Sequence, residues 1–144
     1  MTKYKRGGVE IIIKNLQSEL PIRPAKIKNL VRKILKGERV KKTGWINICF
    51  VDNPVIRKFN AKFLKSDKTT DVLAFNSGNG KLILADIMIS TDKAIEHARR
   101  FKTTGGDELL LYVAHGILHL LGFNDHSKTQ IKMMRKKESQ YVDR

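Results

Sequence analysis

The chain has 144 residues, 41% of them hydrophobic, which suits one globular core and excludes a disordered chain. Lysine and arginine number 29 against 14 acidic residues, a formal charge of +15 that favours polyanionic partners, nucleic acid first among them. No apolar run reaches the ~18 residues of a membrane span. The apolar run after the basic Met1 to Gly8 is too short for a secretion signal, and the single Cys49 has no disulfide partner, so an intracellular, cytoplasmic location is expected.

Val9 to Lys14 is short and β-branched and predicts a strand. Pro21 and Pro24 open a helix whose Ile27, Leu30, Val31, Ile34 and Leu35 form one apolar stripe, with Gly37 as its stop. Trp45 to Val51 is the second strand. Asn53-Pro54 then reads as a cap and first turn of a short helix with Ile56, Phe59 and Phe63 inward. Val72 to Phe75 and Leu82 to Ile89 flank the turn residues Asn76 to Gly80 and predict a hairpin. Asp86 is a carboxylate in an apolar strand, expected to be structural. Ser90 or Thr91 caps a helix with Ala94, Ile95, Ala98 and Phe101 inward and a solvated His97. Leu109 to Leu121 is apolar all round except for two histidines, the mark of a buried helix. After Ser127 a last helix places Ile131, Met134, Glu138 and Tyr141 on one side. The expected fold is α/β, of the layered α+β kind, in one domain over 1–144. A small mixed four-stranded sheet packs against about five helices, with the buried histidine helix at the centre.

His115 and His119 are four apart, so on a helix they share one face and can bind one metal ion. Gly122 stops that helix, and the turn brings Asp125 and His126 back as candidates for a third ligand. Two unsatisfied imidazoles in an apolar helix would be costly, which favours a metal over a bland core role. In the zinc protease motif H-E-x-x-H the glutamate is the general base; here its place is taken by Gly116, which accepts no proton. A peptidase would need Asp71, Asp86 or another carboxylate instead.

His115-Gly116-Ile117-Leu118-His119-Leu120-Leu121-Gly122-Phe123 resembles the H-G-x-L-H-L-x-G-[YF] metal-site motif of the YbeY family of bacterial endoribonucleases, or ribosomal RNA maturation factors. Thr70-Asp71-Val72-Leu73-Ala74-Phe75 is similar to the family's T-D-V-L-S-F. The resemblance implies a metal-dependent, single-strand-specific endoribonuclease with one divalent ion, usually zinc. It would act on small-subunit ribosomal RNA in maturation and quality control, with the small ribosomal subunit as partner. The family's third ligand is usually a histidine six residues after the second. That position is Asp125 here, with His126 the alternative if the turn holds one residue more. Family members often carry an arginine where this chain has Leu64; Lys65, Lys68 or Arg57 would supply the cation that holds RNA. Asp71, Lys65 and Lys68 are the catalytic candidates. The rival readings are a metallopeptidase-like hydrolase and a non-catalytic RNA- or ribosome-binding factor with a structural metal.

Overall fold

The computed structural model describes residues 8–64 and 71–142. Its elements follow the expected order: β1 (Val9–Asn15), α1 (Pro24–Gly37), β2 (Thr43–Val51), α2 (Asn53–Leu64), β3 (Val72–Asn76), β4 (Leu82–Ser90), α3 (Thr91–Phe101), α4 (Gly105–Leu120) and α5 (Lys128–Tyr141). The strands form one mixed sheet in the order β1-β2-β4-β3. β1, β2 and β4 run parallel, and β3 pairs antiparallel with β4 as the hairpin expected between them.

Alternation along the strands divides the sheet into two faces. Ile11, Ile46, Ile48, Phe50, Ile83, Ile87 and Ile89 are buried in the main core, with the α1 stripe and Leu109, Val113, Ile117 and Leu118 of α4. α4 is the central helix and touches α1, α3, α5, β3 and β4. Gly116 sets how closely it lies on the sheet. A Cβ built there would stand 3.1 Å from Ile87 Cγ2 and 3.1 Å from Val72 Cγ1. The glycine therefore serves close helix–sheet packing. A smaller cluster of Val51, Ile56 and Leu73 lies apart from the main core.

Several local expectations differ from the structure. Gly37 is not the left-handed stop of α1; that conformation falls on Arg39, at φ 56°. Gly37 is small because the Tyr141 ring lies where its Cβ would be. The α2 cap is Asp52, not Asn53: Asp52 Oδ1 accepts from the Val55 amide at 3.2 Å. Asn53 instead accepts from the Ser90 hydroxyl at 2.6 Å. Asp86 sits within β4 on the exposed side, and its carboxylate accepts from Asn47 Nδ2 at 3.0 Å. Phe59, Phe101 and Ile131, placed inward by periodicity, are exposed. The side chain of Phe63 lies outside the described residues.

The α1–α5 corner carries a pH-sensitive contact. The Tyr141 hydroxyl donates to Glu38 Oε2, and Lys137 Nζ donates to the same oxygen at 3.0 Å. Burial and the Glu38 carboxylate push Tyr141 up to about 12. Burial is the largest influence on Glu38 and raises its pKa, but the Tyr141 and Lys137 hydrogen bonds and the lysine charge outweigh it, and the net shift is downward. A raised tyrosine stabilises the fold below its unfolded value near 10 and loses that contribution as pH climbs towards 12. A lowered glutamate stabilises above its ordinary value of 4.5 and loses that contribution as pH falls below it. Tyr141→Phe should cost about 1 kcal/mol at pH 7. It should also flatten the alkaline fall in stability between about pH 10 and 12. Urea midpoints across pH measure both; an alkaline limb unchanged by the substitution would refute the assignment.

Candidate metal centre

The site is built on the end of α4. His115 and His119 lie one turn apart on its last two turns. The helix then stops in a paired turn: the Gly122 amide donates to the His119 carbonyl at 3.0 Å, and the Phe123 amide donates to the Leu118 carbonyl at 3.0 Å. Gly122 takes φ 101°, a conformation that glycine adopts without strain. Partly buried Phe123 anchors the far side of the turn on the main core. The reversal delivers Asp125, after which Ser127 and Gln130 form a capping box that starts α5.

Three donor atoms converge. His115 Nε2 and His119 Nε2 are 3.0 Å apart. Asp125 Oδ2 is 3.4 Å from the first and 3.6 Å from the second. A tetrahedral ion with bonds of about 2.0–2.1 Å holds neighbouring ligand atoms about 3.3–3.4 Å apart, so the three atoms fit one face of such a shell. Two imidazoles and a carboxylate are also a donor set that zinc accepts. The His115–His119–Asp125 cluster could hold a metal ion. His126 is exposed and does not join the three; its amide donates to Gln130 Oε1 at 2.9 Å, in the cap of α5.

Glu138 orients the first histidine. It is buried on α5, and its Oε2 lies 2.7 Å from His115 Nδ1. A carboxylate only accepts, so Nδ1 carries the proton and Nε2 keeps its lone pair for the cluster. Arg135 Nη1 holds the other Glu138 oxygen at 3.1 Å. Burial is the largest influence on the His115 pKa and lowers it, but the hydrogen bond and charge of Glu138, with Asp71 and Asp125, outweigh it, and the net shift is upward. His119 is held below its ordinary value, first by burial and then by the charge of His115.

His115 and Asp125 of the cluster line a cleft of about 500 Å³ between α3, α4 and α5. Asp71 lines it; its Oδ1 accepts from the Val72 amide at 2.9 Å, which fixes the carboxylate ahead of β3. Arg57 is exposed on α2 and is not among the cleft's lining residues. Lys65 and Lys68 lie outside the described residues. His97, expected to be solvated, is partly buried and lines the same cleft. The role of Glu138 was missed as well. Its one sequence signal is an acidic residue within the stripe Met134, Glu138, Tyr141, all three buried.

The sequence profile of the family described as "Endoribonuclease YbeY" matches residues 12–144. The chain belongs to the YbeY family. The Endoribonuclease YbeY of Christiangramia forsetii is 34% identical over 115 residues, covering 80% of each chain. That of Chloroherpeton thalassium is 33% identical over 132 residues, covering 92% of each. The solution structure of TM1509 from Thermotoga maritima superposes with a TM-score of 0.67 at 28% identity, covering 94% of this chain and 87% of that one. The mixed sheet and five helices described above match this YbeY-like architecture. Among the described residues, no helix is long and apolar enough to cross a membrane.

Proposed function

We propose that this member of the YbeY family is a zinc-dependent endoribonuclease that cuts single-stranded RNA. Its substrate in this reading is small-subunit ribosomal RNA, handled in the cytoplasm during maturation and quality control of the small ribosomal subunit. The convergence of His115 Nε2, His119 Nε2 and Asp125 Oδ2, beside a cleft that His115 and Asp125 line, carries the proposal. The name of the relatives and the +15 charge support RNA as the substrate.

His115, His119 and Asp125 would hold one zinc ion per chain. Three protein ligands leave room for a further one, as catalytic zinc sites do. Bound there, zinc supplies Lewis acidity towards a phosphoryl oxygen and makes water a better nucleophile. Asp71, which lines the cleft, would act as the proton acceptor. Lys65, Lys68 and Arg57 are the cations proposed to hold the RNA backbone, without base preference. Glu138 keeps His115 in the tautomer that ligation needs.

Purified protein should carry about one zinc per chain and cleave a single strand faster than the same sequence in a duplex. Chelation should stop cleavage and added zinc restore it. Unchanged cleavage by metal-stripped protein would overturn the proposal. The product ends identify the nucleophile: a 2′,3′-cyclic phosphate means attack by the neighbouring 2′-hydroxyl, and a 5′-phosphate with a free 3′-hydroxyl means attack by water.

A further inference from the structure

Beside His115 and Asp125, the lining of the cleft includes three aromatic rings, His97, Phe101 and Tyr112. Phe101 closes α3 and is 61% exposed, yet it lines the same cleft as His115 and Asp125. A lone exposed phenylalanine means little. This one is seated. Its ring packs edge to face on His97, with centroids 6.0 Å apart at 80°. His97 packs in the same way on Tyr112, at 5.7 Å and 78°. The Tyr112 ring is buried, and its hydroxyl is hydrogen-bonded to His97 Nδ1. A stack of three rings therefore runs from the core to the rim of the cleft and holds the outermost one in place.

Cations flank it. Arg100 and Arg135 also line the cleft. Arg135 gives one contact to Glu138, but its side chain is 68% exposed and a guanidinium has five N–H donors. Aromatic rings beside arginines are how proteins hold unpaired bases: each base has a face to stack, and the guanidinium groups meet the phosphates.

We infer that Phe101 is a stacking platform for one unpaired base next to the scissile bond, with Arg100 and Arg135 on the flanking phosphates. The inference rests on the reading that the protein acts on RNA, and it locates where a single strand lies. It also gives single-strand preference a cause. In a duplex both faces of a base are covered by its neighbours, so no face is left for Phe101.

The test uses the full chain and a short labelled single-stranded oligoribonucleotide, with binding read by fluorescence anisotropy and cleavage read separately. Phe101→Ala and Phe101→Leu should each raise Kd about 5- to 150-fold, and Phe101→Trp should hold it near wild type. The melting temperature should not move, because the side chain is mostly exposed. An abasic residue at the platform position should weaken the wild type and leave Phe101→Ala unaffected. Equal Kd for wild type and Phe101→Ala, or a Phe101→Leu protein that binds as well as Phe101→Trp, would overturn the inference. RNA cleaved by the wild type with binding independent of Phe101 sinks the platform and leaves the nuclease. Phe101-dependent binding without cleavage sinks the nuclease and leaves the platform.

Discussion

His119→Ala should weaken zinc binding about 100- to 1,000-fold and reduce RNA cleavage by a similar factor. The size follows from dividing the ~10–16 kcal/mol of a four-ligand zinc site among its ligands, roughly 2.5–4 kcal/mol each. His119 is the cleanest position to test because its partners belong to the cluster: His115 Nε2 at 3.0 Å and Asp125 Oδ2 at 3.6 Å. Its side chain is only partly buried and lies outside the hydrophobic core, so the apo fold should melt within a few degrees of wild type. Two further variants grade the result. Glu138→Gln keeps an oxygen for His115 Nδ1 but sets an amide against the Arg135 guanidinium. It should cost about 10- to 100-fold in affinity, as loss of a partner behind a ligand does. His126→Ala should leave affinity unchanged, because His126 lies outside the cluster. Competition against a chelating dye gives the affinities. A His119→Ala protein that binds one zinc as tightly as wild type would dismiss the cluster as the metal site, and a large loss in His126→Ala would move the third ligand to that residue.

Most of the scaffold was legible because its signals are local. β-branched runs, one-sided helices and turn residues each act within a few positions, and the nine elements of the described residues follow from them in order. The heart of the cluster was legible for the same reason. His115 and His119 share a helix face, and a glycine turn brings Asp125 back within the same short stretch. What escaped is tertiary. Glu138 meets His115 across 23 positions, and His97 meets Tyr112 across 15, through the packing of separate helices. No periodicity encodes such pairs. Phe101 and Gly37 show the converse. Helical spacing put Phe101 inward, but α3 ends at the rim of the cleft and the ring is left in the open. Turn chemistry read Gly37 as a stop, whereas the ring of Tyr141 from α5 requires the missing side chain.

Gly116→Glu, which would write H-E-x-x-H into the chain, should abolish folding and yield no peptidase. Residue 116 lies about 100° around the helix from His115, on the side pressed against the sheet. A Cβ alone meets Ile87 Cγ2 and Val72 Cγ1 at 3.1 Å. Alanine there trades a helix-propensity gain of about 1 kcal/mol against that squeeze and should come out near neutral or mildly destabilising. Glutamate adds the rest of a side chain and a carboxylate. Overpacking alone costs about 1–3 kcal/mol, and an unpaired buried charge about 3–5 more. The total is a large part of the ~5–15 kcal/mol that holds a domain folded. Circular dichroism and thermal melting of the two variants measure the difference, with casein digestion as the activity check. A folded Gly116→Glu protein that melts with the wild type, with or without proteolysis, would refute the packing argument. The residue that a zinc protease uses as its base occupies, in this chain, the line of contact between α4 and the β3–β4 hairpin. The packing that holds the two histidines in place is thus incompatible with a peptidase base at that position; the proton acceptor proposed above, Asp71, lies instead just ahead of β3 on the cleft lining.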